Sequence, residues 1–282
     1  MLLFTIKTYS QEYINTQALI AKIEKQVNSP SFDLESLNTI YDSFHIDKNN
    51  RKVNINIQAA SKKELNATEI FSLRMPTVFM FLQVYEPSNS KVKKINSAGT
   101  TYPISEDGHF LVNNHMLDEL GLGNGDINNV EKSVHLMIAD YAGNIYSIDS
   151  VVTFSREADF AIIKANTNGK KIKPNPIGTD LRAGSDVYVI SHPTNYFYYY
   201  STGRVARMTE NNNGIMSRKM EITADYAAGS SGGPIFDNKG NLVGMVSLTR
   251  SIYYNPEEQK NLQMVVKESI PISPIMNLIK SN

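Results

Sequence analysis

The chain has 282 residues, of which 41% are hydrophobic, enough apolar side chain for a globular core rather than a disordered tail. Lysine plus arginine and aspartate plus glutamate each number 28, and the net charge of zero removes the electrostatic case for a nucleic-acid or anionic-membrane partner. With no cysteine, disulfides, thiolate catalysis and cysteine-held zinc are excluded together, and no HExxH or EF-hand pattern points to a metal.

The start, MLLFTIKTYSQ, is an apolar patch without a basic flank and too short for a complete signal peptide. It reads either as the tail of a clipped signal or as a first strand. No apolar run approaches the ~20 residues that a membrane-crossing helix needs. The composition suits reducing and oxidising compartments equally; the expectation is a soluble protein, with a periplasmic or secreted location favoured over a cytoplasmic one. In NTQALIAKIEKQV, Leu19, Ile20, Ile23 and Val27 share one helical face. DLESLNTIYDSF does the same with Leu34, Leu37, Ile40, Tyr41 and Phe44, and Asp33 is placed to cap its start. KVNINIQ alternates Val53, Ile55 and Ile57, the period of a strand. Residues 1–66 therefore read as a small α+β extension whose role the pattern does not state, ahead of a second unit over residues 67–282.

From about residue 70 the texture changes to short apolar runs, among them TVFMFLQVY, HFLVNNHML, VHLMIADYAGNIYSI, FAIIKA, DVYVISH, IFDNKGNLVGMVSL and MVVKESIPI. Turns such as EDG, YAGN and DNKGN join many of them. Short strands at this spacing argue for an all-β sandwich or barrel. The last ten residues, SPIMNLIKSN, suit a closing helix with Pro274 in its first turn.

One loop carries the chemistry. AAGSSGGPIFD surrounds Ser230 and Ser231 with glycines, and GSSGG satisfies the G-x-S-x-G pattern with Ser231 at its centre. In the α/β-hydrolase elbow the histidine follows the serine. Here His45, His109, His115, His135 and His192 all precede Ser231, so that fold is excluded. The order His, Asp, Ser belongs to the two-barrel serine peptidases. It is met by His115 after a strand-like run, by Asp159 leading into the apolar run FAIIKA, and by Ser231.

On these residues the chain resembles a chymotrypsin-fold serine peptidase, and most closely the bacterial trypsin-like group that includes the HtrA proteases. SEDGHFLVNNHML resembles that group's histidine segment and EADFAIIKA its aspartate strand. AGSDVYVISHP and STGRVAR resemble its later strands, and GSSGGPIFDNKGNLVGMVSL its nucleophile loop, a likeness running from about residue 68 to the C-terminus. The resemblance implies two packed six-stranded antiparallel β-barrels with the active site between them and a C-terminal helix. It implies Ser231 as nucleophile, His115 as general base and acid, Asp159 as the group that fixes the imidazole, and the backbone N–H groups of Gly229 and Ser231 as the oxyanion hole. Ser230 should point away. No cofactor is implied, and the partner is a polypeptide substrate. The alternative from another class is a catalytically silent module that keeps the cleft for peptide recognition.

Some positions depart from the family pattern. Ser230 replaces the aspartate that pairs with a freshly cut N-terminus in digestive relatives, which argues against zymogen activation of that kind. Val112 and Thr101 replace a threonine and a glycine at strand positions, read here as packing variation. Asp225 falls where trypsin-like relatives carry the base of the specificity pocket and would favour lysine or arginine before the cut. The competing reading is that Asp225 caps local backbone. Thr249 opposes the tryptic reading because it replaces a glycine that keeps the pocket open. Ser247 matches the residue that supports the aspartate, and its strand should pair with extended substrate. The remaining histidines read as ordinary, and the run YFYYYS as either a cleft rim or a half-buried strand. HtrA proteins usually add a PDZ domain; this sequence stops one helix after the protease, so tail sensing by such a domain is not expected.

Overall fold

FMFLQVY is buried on both faces, which explains why it reads as a continuous apolar run instead of an alternating one. In the computed structural model, which describes residues 13–44, 46–118 and 135–280, this segment is strand β2 (Phe79–Tyr85). Phe79 and Phe81 point into the first barrel with Phe110, Ile138, Val151 and Phe154. Met80, Leu82 and Val84 point outward into a second apolar cluster that also takes in Ile23, Val27 and Leu37.

The first barrel closes in the order β2, β3 (Lys94–Pro103), β4 (His109–Val112), β7 (Phe160–Ala165), β6 (Ile145–Ser155) and β5 (His135–Ala139). The second closes through β8 (Asp186–Ser191), β9 (Tyr199–Thr209), β10 (Lys219–Ile222), β13 (Lys260–Pro271), β12 (Leu242–Asn255) and β11 (Pro234–Phe236). Every pairing within the barrels is antiparallel. The two six-stranded barrels and the C-terminal helix are thus as expected. Val187, Val189, Val205, Met220, Ile222 and Ile235 fill the second barrel. Closure removes most exposed sheet edges.

The N-terminal region is tied to both barrels. Helix α1 (Thr16–Val27) starts at Asn15, whose side chain accepts from the Ala18 amide, and buries Ile23 and Val27. The side chain of Asn28 both donates to and accepts from the Lys93 backbone, at 2.9 and 2.8 Å. The second expected helix is shorter and broken: a 3-10 turn over Glu35–Asn38 runs into α2 (Thr39–Ser43). Phe44 then stacks on Phe154 at 4.7 Å. Of the expected strand in KVNINIQ, only β1 (Val53–Asn54) forms. It pairs with β14 (Ile279–Lys280), which follows helix α5 (Ile272–Leu278) and replaces the last turn expected of that helix. The segment then hydrogen-bonds to the second barrel, Ser61 with the Asn241 side chain and Leu65 N–H with the Asn238 carbonyl. Helix α3 (Ala67–Arg74) was not foreseen, although its capping box of Asn66 and Glu69 is visible in NATE. His45 and the MLLFTIKTYSQ start lie outside the described residues.

Candidate active site

Strand β4 ends at Val112, and Asn113 leads into the short helix α4 (Asn114–Asp118). His115 sits in its first turn. Its Nδ1 lies 3.0 and 2.9 Å from the two carboxylate oxygens of Asp159, and its backbone N–H donates to Oδ1 at 2.9 Å. Asp159 precedes β7 with φ of +65°, a left-handed conformation that aspartate adopts more readily than most residues. Its Oδ2 also accepts from Ser247 Oγ at 2.6 Å and from Asn113 Nδ2 at 3.1 Å. Asn113 donates as well to the Asp159 carbonyl, at 2.9 Å. Burial alone would raise the carboxyl pKa, but the donors from His115 and Ser247 outweigh it and hold the group below its ordinary value. The aspartate is therefore ionised and fully engaged by donors.

Ser231 reaches the same place from the second barrel. Its loop is bound across the inter-barrel seam by Thr100 of β3, whose N–H donates to the Ser231 carbonyl at 2.9 Å and whose Oγ1 donates to the Gly229 carbonyl at 3.1 Å. A Cβ at Gly232 would stand 2.1 Å from the Thr100 carbonyl, so the seam closes only with glycine there. Ser231 Oγ donates to the Ser247 carbonyl at 3.2 Å. Ser230 is fully buried and accepts from Ser191 Oγ, so its hydroxyl is a turn anchor facing away from the cleft.

Two amides of this loop, those of Gly229 and Ser231, donate to no protein acceptor among the described residues, whereas the Ser230 amide between them bonds to the Ala227 carbonyl. The neighbouring carbonyls set their directions, because N–H and C=O of a trans peptide point opposite ways. The Ala228 carbonyl is held by Thr194 N–H at 2.7 Å, which turns the Gly229 N–H the other way. The Ser230 carbonyl accepts from Gly233 N–H at 2.8 Å and orients the Ser231 N–H likewise. Gly229 has φ of +89°, and a Cβ there would meet the His192 carbonyl at 2.7 Å. Thr194 is itself held at φ +47°, unusual for a β-branched residue and the kind of strain stored at functional sites. His192 braces that loop by accepting Tyr198 N–H at Nδ1, and burial pushes its imidazole down to about 3, so it stays neutral.

His115, Asp159, Ser231, Ser247 and Thr249 line one cleft of about 550 Å³, together with Tyr226 and Leu248. Asp225 is not brought there: its carboxylate is 80% exposed and lies 3.7 Å from Lys267 Nζ. Residues 196–201 form no rim of this cleft; Phe197 and Tyr198 are buried against His192, and Tyr200 reaches the Ala67 carbonyl. Thr101 is buried in β3 and bonds to the Leu111 carbonyl, and Val112 is core. Asn113, Thr100, Thr194 and Tyr226 were not singled out from sequence. Only proximity to the histidine and serine segments marks them, since their roles depend on contacts made across the fold. Among the described residues no group of three or more His, Asp or Glu side chains is arranged to hold a metal, and no helix is long and apolar enough to cross a membrane.

The model of the trypsin-like peptidase domain family matches residues 99–245. Among curated proteins, the chain is 24% identical over 193 residues to Protease Do-like 5, chloroplastic, of Arabidopsis thaliana, covering 66% of this chain and 57% of that protein. It is 26% identical over 159 residues to serine endoprotease DegS of Haemophilus influenzae, covering 55% and 43%. The chain thus spans about half the length of these relatives. Among solved structures, that of Deg5 superposes with a TM-score of 0.54 at 20% identity, covering 74% of this chain and 90% of the other. The HtrA-type protease AlgW with decapeptide gives 0.55 at 20% identity, covering 76% and 66%. These likenesses show the fold.

Proposed function

We propose that this chain, which belongs to the trypsin-like peptidase domain family, is a serine endopeptidase in which His115, Asp159 and Ser231 form the proton relay. The observation that carries the reading is the Asp159 carboxylate, ionised, surrounded by donors and bonded to His115 Nδ1 within the cleft that Ser231 also lines. An imidazole with Nδ1–H committed to the carboxylate presents the lone pair of Nε2, the state a general base requires. Ser231 Oγ attacks the peptide carbonyl as His115 takes its proton, and His115 returns that proton to the departing amine. The Gly229 and Ser231 amides receive the developing oxyanion. The Ser247 carbonyl, which accepts the Ser231 hydroxyl here, is the acceptor for the amide of the substrate residue before the cut; its arrival frees the hydroxyl for the imidazole. Residues 1–66 are assigned as a brace ahead of the protease unit: in the described part, their hydrogen bonds reach both barrels and none of them lines the cleft.

Tyr226 supports a preference for small side chains before the scissile bond. It is 3% exposed, and its hydroxyl is shared between the Leu248 carbonyl at 3.2 Å and the Glu268 carbonyl at 2.7 Å. The ring thereby spans the β12 and β13 walls beside Ser231 and fills the space a long side chain would enter. Digestion of unfolded casein with sequencing of the cut sites tests both levels. Cleavage is expected after alanine, serine or valine, and Tyr226→Ala is expected to shift preference toward leucine and phenylalanine by about tenfold or more in kcat/KM, the discrimination that a few methylenes provide. Cuts after lysine and arginine in the wild type would instead return the specificity role to Asp225.

A further inference from the structure

One face of the second barrel carries more positive charge than its carboxylates neutralise. Glu221 of β10 and Leu248 of β12 each stand opposite Glu268 of β13, and residues directly opposite on antiparallel strands share a face. Lys219 and Arg250 lie two positions from Glu221 and Leu248 and project from the same face. Met220 and Ile222 point the other way, into the barrel core. Glu221 is taken by Arg207, which donates to its two oxygens from Nε at 2.8 Å and from Nη2. Glu268 is divided. Its two oxygens lie 3.8 Å from Lys219 Nζ and 3.9 Å from Arg250 Nη2, long separations for an ion pair. Three cations thus face two carboxylates, and one positive charge is left over. The Lys219 side chain is only 20% exposed, so water screens its charge poorly.

This face borders the cleft. Lys219 and Leu248 line it from the second barrel, and Arg156 lines it from the first. Arg156 stands between β6 and β7, just ahead of Asp159, with its guanidinium 5.9 Å from the Phe154 ring centroid. It forms no ion pair among the described residues. The cleft's own carboxylates offset these cations only in part. Asp159 is committed to His115. Asp118 belongs to the His115 end, where it accepts from Asn114 Nδ2 at 2.7 Å. Burial raises the Asp118 pKa, and Arg156 is near enough to oppose that rise. Lys219, on the far wall, has only its share of Glu268.

We propose that Arg156 and Lys219 select substrates with an aspartate or glutamate among the second, third and fourth residues before the scissile bond. This rests on the peptidase reading, in which the residue before the cut lies against Ser247 and Tyr226. The residues ahead of it then pass Leu248, between the walls that carry the two cations. A carboxylate there gains charge-assisted contacts from both, whereas a lysine meets like charge. Leu248, 40% exposed, supports the carbon stem of the acidic side chain. The zero net charge of the chain conceals this field, because selectivity depends on where charges sit and not on their sum.

The test uses the full chain and synthetic peptides that share one scissile bond after alanine. They differ at one of those three positions, which bears glutamate, glutamine or lysine. The readout is the ratio of kcat/KM for glutamate over glutamine within one variant, so a general loss of activity cancels. The wild type is expected to give about tenfold at the favoured position, the yield of two partly screened ion pairs, with lysine below glutamine. The ratio should fall to about threefold in Arg156→Gln or Lys219→Gln and to about one in the double variant. Salt at about 1 M, where the Debye length is about 3 Å, should lower the wild-type ratio. Anisotropy of the same peptides, fluorescently labelled, on the Ser231→Ala chain reads the preference without cleavage: glutamate should bind about tenfold more tightly than glutamine. If the wild type cuts no peptide, the peptidase reading falls while the binding ratio still judges the two cations. Equal values for glutamate and glutamine at all three positions, a preference for lysine, or a full ratio kept in the double variant overturns the proposal.

Discussion

Ser231→Ala is expected to fold as the wild type does and to lose about 10⁶ in turnover of unfolded casein, the cost of removing the nucleophile from such a relay. Among the described residues the hydroxyl makes one hydrogen bond, to the Ser247 carbonyl at the cleft, so its loss changes stability by about 1 kcal/mol or less. The loop itself is held by backbone groups that alanine keeps: Thr100 N–H to the residue 231 carbonyl, Gly232 N–H to the Val246 carbonyl and Gly233 N–H to the Ser230 carbonyl. Initial rates together with a thermal melt check both halves. A variant with an unchanged melt and wild-type rates would mean that the cleft does not use this hydroxyl.

Asp159→Asn is expected to cost about 10⁴ in kcat with the backbone unmoved. Asparagine tolerates the +65° φ of this position at least as well as aspartate, so strain is not the cause. The cause is hydrogen-bond sign. Among the described residues every partner of the carboxylate is a donor: His115 N–H, His115 Nδ1–H, Ser247 Oγ–H and the Asn113 amide. An amide nitrogen in place of one oxygen would face a donor, and the least costly relief is for His115 to give up the Nδ1 proton and carry it on Nε2. That tautomer cannot accept from Ser231. The same network links to pH. Because the folded carboxyl pKa lies below its ordinary value, the stability it contributes is present above the unfolded carboxyl range and is lost as pH falls through the folded value. Asp159→Asn should therefore flatten the acid limb of wild-type unfolding as well as slow turnover.

The short apolar runs separated by turns made an all-β sandwich or barrel legible, and the two-barrel form followed only from the family resemblance carried by His115, Asp159 and Ser231 in their chain order. What was hidden depends on tertiary closure. β2 is apolar on both faces because Phe79 and Phe81 fill the barrel while Met80 and Leu82 meet the N-terminal helix cluster, so its period says nothing about which face is inside. Asp225 was read as the base of the specificity pocket, yet the neighbouring Tyr226 is the one that lines the cleft, from within the core of the second barrel; its hydroxyl is held by the carbonyls of Leu248 and Glu268, distant in sequence. That β12 and β13 stay paired out to Asn255 and Lys260 was hidden because the residues between them, Asn255 to Gln259, read as a polar turn. Helix α3 was an avoidable omission, since the Asn66 and Glu69 pair stood in plain order.

Fluorophosphonate labelling with peptide mapping tests the proton relay most directly, because the reagent reports an activated serine without requiring the natural substrate. The expected result is one adduct, on Ser231 and not on Ser230, formed by the wild type and abolished in His115→Ala at the same pH. An unlabelled wild type, or a His115→Ala variant that labels at the wild-type rate, would contradict the relay and leave the cleft as a site for holding peptides.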